Sequence, residues 1–153
     1  MSGDDMRLRL LWLLGRFIYP TYRFKWPQMD WLHDANFNRF LAQFGESNGF
    51  DTERRWMIKE LMRLTQSVPG DTAECGSYKG AGSYLICEMN AASTAFKRHH
   101  HIFDSFEGLS APKPIDGPYW SAGRMAFGAD VVRKNLAKFA SEASAGNIES
   151  ASS

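Results

Sequence analysis

The chain has 153 residues, of which 44% are apolar, and its formal net charge is +1. A chain of this length and composition is expected to fold as one globular domain. So small a net charge gives no sign of the basic face that nucleic-acid binding needs, which argues against that class of function. The two cysteines, Cys75 and Cys87, are predicted to be small buried residues, one in a strand and one in a helix, as in a protein of the reducing cytoplasm.

The first apolar stretch is LRLLWLLGRFIY, residues 8–19, which Arg9, Gly15 and Arg16 interrupt. It is too short to span a bilayer, and no small-residue cleavage site follows it. We expect a helix that packs on its own domain or on a partner subunit; the competing interpretation is an amphipathic helix on a membrane surface. Residues 1–50 as a whole predict a helical and loop extension that serves as a lid or a dimer contact.

The segment after Asp51, TERRWMIKELMRLTQ, predicts a helix that Asp51 caps and that the Pro69–Gly70 pair ends. Four apolar residues follow the spacing of one helical face and are predicted to be buried: Met57, Leu61, Leu64 and Val68.

A short strand, DTAEC, then leads into the glycine-rich stretch ECGSYKGAG, residues 74–82. Such a stretch bends the backbone around a small ligand. Its glycines, Gly76, Gly80 and Gly82, match neither the phosphate-binding G-x-x-x-x-G-K-[ST] loop nor the dinucleotide-binding G-x-G-x-x-G pattern.

Two further helices and one strand follow. A helix begins at Ala81, the segment HHIFD predicts a strand that ends in Asp104, and a long loop rich in Pro and Gly precedes the last helix. The residues predicted to face the core are Leu85, Met89, Ala92 and Phe96 in the first of these helices, and Ala129, Val132, Leu136 and Phe139 in the second. Residues 141–153 are small and polar and predict a disordered tail.

Strands that alternate with helices indicate parallel strands, right-handed crossovers and an open α/β sheet. Residues 51–140 then form part of a Rossmann-like domain. Its first strand would normally have neighbours on both sides, but only one partner strand is recognisable, so we expect the chain to be incomplete or to borrow the rest of its sheet.

Ligands of such sheets bind at the carboxyl ends of the strands, where the glycine loop and Asp104 both lie. Backbone N–H groups at a helix start favour an anionic group, and a strand-end carboxylate can bind ribose hydroxyls. NAD and S-adenosylmethionine both satisfy this chemistry. The G-x-x-x-G spacing after an acidic residue favours the second, because that ligand has no phosphates, and Glu74 could face its amino group or its waters.

Two segments, ERRWMIKELMRLTQSVPGDTAECGSYKGAGSYL and HIFDSFEGLSAPKPIDGPYW, resemble the macrocin O-methyltransferase family. Its members are class I S-adenosylmethionine-dependent enzymes that methylate sugar hydroxyls of macrolides and related metabolites. The resemblance runs from about Glu53 to Phe139. It rests on E-C-G-x-x-x-G after a PGD turn and on F-D-[ST]-F-x-G after the second strand.

The resemblance implies a cofactor site for S-adenosylmethionine, with Glu107 as a weaker candidate for its ribose. The residues it places in that site are Glu74, Gly76, Ser77, Gly80, Asp104 and Ser105. It also implies a Mg²⁺ ion held by aspartates on later strands, and no such residues are recognisable here. No metal ligand and no general base is therefore predicted, and we expect little or no catalysis from these 153 residues alone.

Other interpretations stay open. His99 and His101 could share one face of a strand and bind zinc or copper, although a polar strand edge is the preferred interpretation. The segment SAPKPIDGPYW could border a pocket for the acceptor or could be a surface loop.

The function predicted is that of a cytoplasmic O-methyltransferase, acting on a hydroxyl of a sugar or secondary metabolite and able to form a homo-oligomer. The alternative is a non-catalytic remnant that binds a nucleoside weakly or serves as an interaction module.

Overall fold

The computed structural model describes residues 3–18, 20, 30–47 and 51–140. The chain divides into two compact units, residues 1–40 and 41–153. The predicted disordered tail, residues 141–153, lies outside the described residues. The division of the chain into an extension, a cofactor domain and a tail stays a prediction.

The first unit contains helix α1 (Gly3–Ile18), a 3₁₀ helix (Asp30–His33) and the start of α2 (Ala35–Gln43). Asp34 caps α2, because its carboxylate accepts the backbone N–H groups of Asn36 at 3.0 Å and Phe37 at 2.9 Å. The rings of Phe37 and Phe40 are buried and stack at 5.9 Å.

Helix α1 confirms the helix predicted for the first apolar stretch. Its large apolar side chains are exposed: Met6, Leu10, Leu11, Trp12, Leu13, Leu14, Phe17 and Ile18. What covers this helix, its own domain or a partner subunit, stays a prediction. None of the helices in the described ranges is both long and apolar enough to cross a membrane.

Helix α3 (Thr52–Leu64) begins where the sequence predicts, but it buries a different face. The four residues predicted as its core, Met57, Leu61, Leu64 and Val68, are all more than half exposed. Thr52 is buried instead, and Arg55 and Ile58 are half-buried. The predicted face is wrong because α3 packs against α4 with the side that carries Thr52, Arg55 and Ile58, which leaves the apolar stripe outside.

The sheet consists of two parallel strands, β1 (Thr72–Cys75) and β2 (His100–Phe103). Thr72 pairs with His100 and Cys75 with Phe103. Helix α4 (Ala81–Ala91) connects the strands and packs against both of them and against α3. This confirms a mixed α/β fold with parallel strands.

One face of this sheet is covered and the other is open. The inner face, defined by Thr72, Glu74, His100 and Ile102, lies against α4 and is at least half-buried throughout. The outer face, defined by Ala73, Cys75, His101 and Phe103, has three exposed residues and a half-buried histidine.

The core lies between α4 and the C-terminal helices α5 (Ala129–Asn135) and α6 (Ala137–Ala140). The Tyr84 ring meets Phe44 at 5.4 Å and Phe139 at 5.1 Å, both edge to face. Val132, Leu136 and Phe139 are buried as predicted, although the single predicted helix is split into two. Leu85 is also buried, but Ala92 and Phe96 are exposed beyond the end of α4, so their predicted burial is wrong.

The two cysteines differ in exposure because Cys75 lies on the outer face of the sheet and Cys87 lies in helix α4. Cys75 is exposed on the outer face, so its predicted burial is wrong. Cys87 lies in α4, where burial, with a smaller effect of the Glu74 charge, raises the pKa of its thiol to about 11. Neither forms a disulfide.

Candidate active site

The two strands end side by side, and the turns that follow them meet. The glycine loop, residues 76–80, follows β1, and the second turn, residues 104–108, follows β2. The N–H of Gly76 donates to the carbonyl of Phe103 at 2.9 Å, which continues the strand ladder into the loop. The structure thus brings the two sequence motifs together at the carboxyl edge of the sheet.

The glycine loop requires its two framework glycines. Gly76 and Gly80 both have φ of 83°, a left-handed conformation that costs other residues energy. Gly80 is the N-cap of α4, and a Cβ there would stand 3.2 Å from Val132 Cγ1. A Cβ on Gly76 would meet nothing within 4 Å, so the backbone at Gly76 is open to a close approach by a ligand.

The Asp104 carboxylate accepts four hydrogen bonds from the two turns. Its Oδ2 accepts the N–H of Ser77 at 2.6 Å, the Ser77 hydroxyl at 3.0 Å and the N–H of Tyr78 at 3.3 Å. Its Oδ1 accepts the N–H of Phe106 at 2.8 Å.

These contacts decide the charge of Asp104. Desolvation by partial burial acts to raise the pKa of its carboxyl, but the hydrogen bonds from Phe106, Ser77 and Tyr78 outweigh it and hold that pKa below its ordinary value. Asp104 is therefore an anion at neutral pH.

Glu74 faces the first turn of α4. Its Oε2 accepts the hydroxyl of Ser83, and a Cβ on Gly82 would collide with its Oε1. The Nε2 of His100 lies 3.9 Å from the same Oε2. A carboxylate in this position stabilises the positive end of the helix dipole and fixes the start of α4 against β1.

A shielded ion pair supports this arrangement from α3. The Arg55 guanidinium donates from Nε to Glu46 Oε2 and from Nη2 to Glu46 Oε1, both at 2.8 Å, and each side chain is 13% exposed. Hydrogen bonding to Glu46 raises the pKa of Arg55 against the lowering effect of burial, and the nearby charge of Glu74 adds to the rise.

The C-terminal helices hold the other side of the glycine loop. The Asn135 Nδ2 donates to the carbonyl of Lys79 at 2.8 Å. The Tyr78 ring packs edge to face on Phe127 at 4.7 Å, and the Lys79 ammonium lies over both rings. The loop is thus fixed by contacts from α5 and from the segment before it.

The long loop after β2 is held by hydrogen bonds between its own residues. The N–H of Leu109 donates to the carbonyl of Arg124 at 2.9 Å, and the N–H of Gly123 donates to the carbonyl of Leu109 at 2.8 Å. Arg124 also donates to the Tyr119 carbonyl at 2.6 Å and hydroxyl at 2.8 Å. Tyr119 and Trp120, in the segment that could border an acceptor pocket or form a surface loop, are exposed.

The remaining candidates of the second turn are exposed. The Ser105 hydroxyl accepts the N–H of Glu107 at 3.3 Å. Within the described part of the chain, the Glu107 carboxylate has no hydrogen bond and no ion pair.

The three histidines do not form a metal site. The Nε2 of His101 lies 3.1 Å from Asp71, His100 is buried with its Nδ1 3.0 Å from the Thr72 hydroxyl, and the backbone N–H of His99 donates to Asp71 at 2.9 Å. Across the described ranges, no three His, Cys, Asp or Glu side chains are grouped so that they could hold a metal ion. The Mg²⁺ that the resemblance implies therefore has no ligand set in this part of the chain.

Comparison with known families decides the relationship. The model of the family described as Macrocin-O-methyltransferase (TylF) matches residues 54–141, more than half of the chain. The chain belongs to this family. This confirms the resemblance that the two sequence motifs carry and makes the chain a member of a methyltransferase family.

A solved structure agrees with this fold. The crystal structure of CalS11, a calicheamicin methyltransferase, is similar with a TM-score of 0.51 and 16% sequence identity, over 72% of this chain and 49% of that one. At this identity the similarity concerns the fold alone. The chain spans about half the length of the structure it matches. No curated protein sequence matches the chain.

The macrocin family motifs account for only part of the site. The structure brings together Gly76, Ser77, Gly80 and Asp104, while Glu74 faces α4. Sequence reasoning missed Tyr78 and Phe106, which have φ of 52° and 59° although neither is a glycine. No sequence signal marks them, since the left-handed region is normally inferred from glycine alone.

Proposed function

We propose that this chain is the cofactor-binding, N-terminal half of a class I S-adenosylmethionine-dependent O-methyltransferase. The acceptor would be a hydroxyl group of a sugar or other secondary metabolite. Two observations support the proposal, namely membership of the macrocin O-methyltransferase family and a strand-end site that contains both family motifs.

The observation that carries the proposal is the contact between the Ser77 N–H and Asp104 Oδ2 at 2.6 Å. It joins the glycine loop to the second turn across 27 residues of sequence. A ligand that touches both motifs would therefore sit at one place, where the two strands end. This is the position at which open α/β sheets bind their ligands.

The chain's own groups suit the two ends of S-adenosylmethionine. The first turn of α4 presents backbone N–H groups of Ala81, Gly82 and Ser83 that have no acceptor within the helix, and such groups favour a carboxylate. Gly76 leaves room for the ligand to approach the backbone. A carboxylate of the second turn, Asp104 or Glu107, would bind the ribose.

The bound cofactor supplies a methyl group on a sulfonium, which transfers in line to the acceptor oxygen. The described residues contribute binding and orientation, which raise the effective concentration of the reacting groups. We assign neither the removal of the acceptor proton nor a metal to any of them. We therefore propose that catalysis requires further residues and that this chain alone has little activity.

Calorimetric titration of the 153-residue chain with S-adenosylhomocysteine tests the proposal. We expect saturable binding, and no binding of NADH. Gly80→Ala should weaken binding because it disturbs the loop against Val132. Gly70→Ala is the matched control, since Gly70 also has a positive φ, 118°, but lies in open space before β1. A folded chain, shown by circular dichroism, that gives no heat with S-adenosylhomocysteine would contradict the proposal.

A second candidate function is that of a non-catalytic interaction module. The exposed apolar stripe of α3 and the open outer face of the sheet favour it, because contiguous apolar surface usually marks an interface. Light scattering, which measures the size of the particle in solution, distinguishes the interaction module from the cofactor-binding function. A homo-oligomer whose size is unchanged by S-adenosylhomocysteine, in a chain that does not bind that ligand, would support the module.

The acceptor class, the cytoplasmic location and a homo-oligomeric state are parts of the same proposal. The first is carried by the family, whose members are described as macrocin O-methyltransferases. Assay of the chain with S-adenosylmethionine and a set of glycosylated metabolites would test it.

A further inference from the structure

Helix α1 has a wide apolar face that is exposed. At about 3.6 residues per turn, most of its large apolar side chains lie within an arc of about 160° around the helix axis. The residues of this apolar face are Met6, Leu10, Leu11, Leu13, Leu14, Phe17 and Ile18. All of them are exposed, and Phe17 and Ile18 are the most exposed, at 86% and 77%. Leu8 and Gly15, on the far side of the helix, are half-buried, so α1 has distinct outer and inner sides.

The charged side chains of α1 that the structure describes are all basic. They are Arg7, Arg9 and Arg16. The acidic residues of the helix, Asp4 and Asp5, occur only in the sequence of its first turn. Arg9 and Arg16 lie on one side of the helix next to Trp12, and the Arg16 guanidinium carbon is 4.8 Å from the centre of the Trp12 ring. A basic side with an aromatic border thus adjoins the apolar face.

This distribution suits a helix that lies flat on a membrane surface. In such helices Leu, Phe and Trp enter the boundary between headgroups and acyl chains, while basic residues meet anionic headgroups. Arg7 lies within the arc of the apolar face, and its long side chain can extend to keep the guanidinium at the headgroups. An anionic surface contacts all three arginines, whereas a second copy of α1 offers acidic residues only in its first turn. Charge complementarity therefore favours lipid as the occupant of this face.

We propose that α1 binds the surface of an anionic phospholipid membrane, with its apolar face among the headgroups and its arginines on the lipid phosphates. This surface contact differs from the domain or subunit contact that the sequence favours. It is also distinct from spanning, since no helix in the described ranges is long and apolar enough to cross a membrane. The inference is independent of the proposed cofactor site, because it concerns where the protein is held.

The first test is co-sedimentation of the full 153-residue chain with lipid vesicles. The vesicles contain phosphatidylcholine, either alone or mixed with anionic phosphatidylglycerol. We expect binding to the anionic vesicles to be about 10- to 100-fold tighter, because each basic residue near an anionic surface adds to the attraction. The double variant Arg9→Gln/Arg16→Gln should lose most of this preference, and high salt should weaken it in the unaltered chain by screening the charges.

A matched pair of leucine variants tests the apolar face. Leu10 of α1 is 58% exposed and Leu61 of α3 is 51% exposed, so both can be changed without opening the core. Leu10→Gln should weaken binding to the anionic vesicles by about 10-fold or more, because it removes an apolar side chain that enters the lipid. Leu61→Gln makes the same chemical change outside α1 and should leave binding unchanged. Circular dichroism verifies that both variants fold.

Three results would overturn the inference. The first is a chain that binds anionic vesicles no more tightly than neutral ones. The second is an equal loss of binding in Leu10→Gln and Leu61→Gln, which would mean that any exposed leucine contributes. The third is a homo-oligomer, seen by light scattering, that Leu10→Gln dissociates and that does not bind vesicles, because a second copy would then cover α1. Tighter binding to anionic vesicles that only the α1 variants weaken would support the inference.

Discussion

The inner face of the two-stranded sheet is packed, whereas the outer face of the same strands is open. Ile102 on the inner face is 1% exposed, and its neighbour Phe103 on the outer face is 41% exposed. The proposed cofactor site lies at the strand ends, and its glycine loop is held by contacts from Asn135 and Phe127. The difference indicates that the contacts that shape the loop are present in the described part of the chain.

The largest expected effect comes from truncating the packed face. Ile102→Ala should lower the free energy of unfolding by about 2–5 kcal/mol, because it leaves a cavity under α4. Phe103→Ala should cost about 1 kcal/mol or less, because its ring is partly in water. Chemical denaturation measures both. A larger loss for Phe103→Ala than for Ile102→Ala would show that the outer face is covered in solution.

A pair of glycine variants tests the difference between a packed and an open position within the glycine loop. Gly76→Ala should cost about 1–2 kcal/mol from its positive φ alone. Gly80→Ala bears the same backbone cost and, in addition, about 1 kcal/mol or more of crowding against Val132. Equal losses in thermal unfolding experiments would mean that α5 does not pack tightly on the loop.

The ion pairs of α3 provide a smaller effect. Arg55→Met should cost about 1–3 kcal/mol, because it leaves the shielded Glu46 without its bidentate partner. Arg63→Met removes an exposed pair with Glu60, 3.4 Å apart, and should change stability by less than about 0.5 kcal/mol. The prediction would be wrong if urea denaturation gave the two variants the same midpoint.

The two cysteines are expected to differ least in their effect on stability. The rates at which their thiols react with a disulfide reagent should differ strongly. Burial raises the pKa of Cys87 to about 11 from an ordinary 9.0, so its reactive thiolate is about 100-fold rarer at pH 8 than in an unperturbed thiol. Cys75 is exposed and should react first with a water-soluble disulfide reagent. Mass spectrometry of the labelled peptides measures the order of reaction, with Cys75→Ser as the control. Faster labelling of Cys87 would contradict the packing of α4.

The sequence predicted where the elements begin better than which sides they bury. Both strands and the start of α4 at Ala81 were found within a residue of their predicted positions, since glycines and short β-branched or apolar runs mark them clearly. The buried face of α3 was wrong because Trp56, Ile58 and Met62 form a second apolar side, and periodicity cannot choose between two such sides. The buried side is the one that packs on α4, and helical spacing does not encode this tertiary contact.

The site shows the same limit. The motifs correctly placed the glycine loop beside Asp104, because parallel strands put their carboxyl ends together. They could not show that the Asp104 carboxylate accepts hydrogen bonds from Ser77, Tyr78 and Phe106. These hydrogen bonds depend on backbone angles that the spacing of residues in the sequence does not encode.

The most direct test of the central claim is amide hydrogen exchange of the 153-residue chain with and without saturating S-adenosylhomocysteine. A cofactor site at the strand ends predicts ligand-dependent protection of residues 76–83 and 104–108, with residues 52–64 unchanged. Protection that is absent from both segments, or that falls on α3 instead, would contradict the claim that these two turns form the cofactor site.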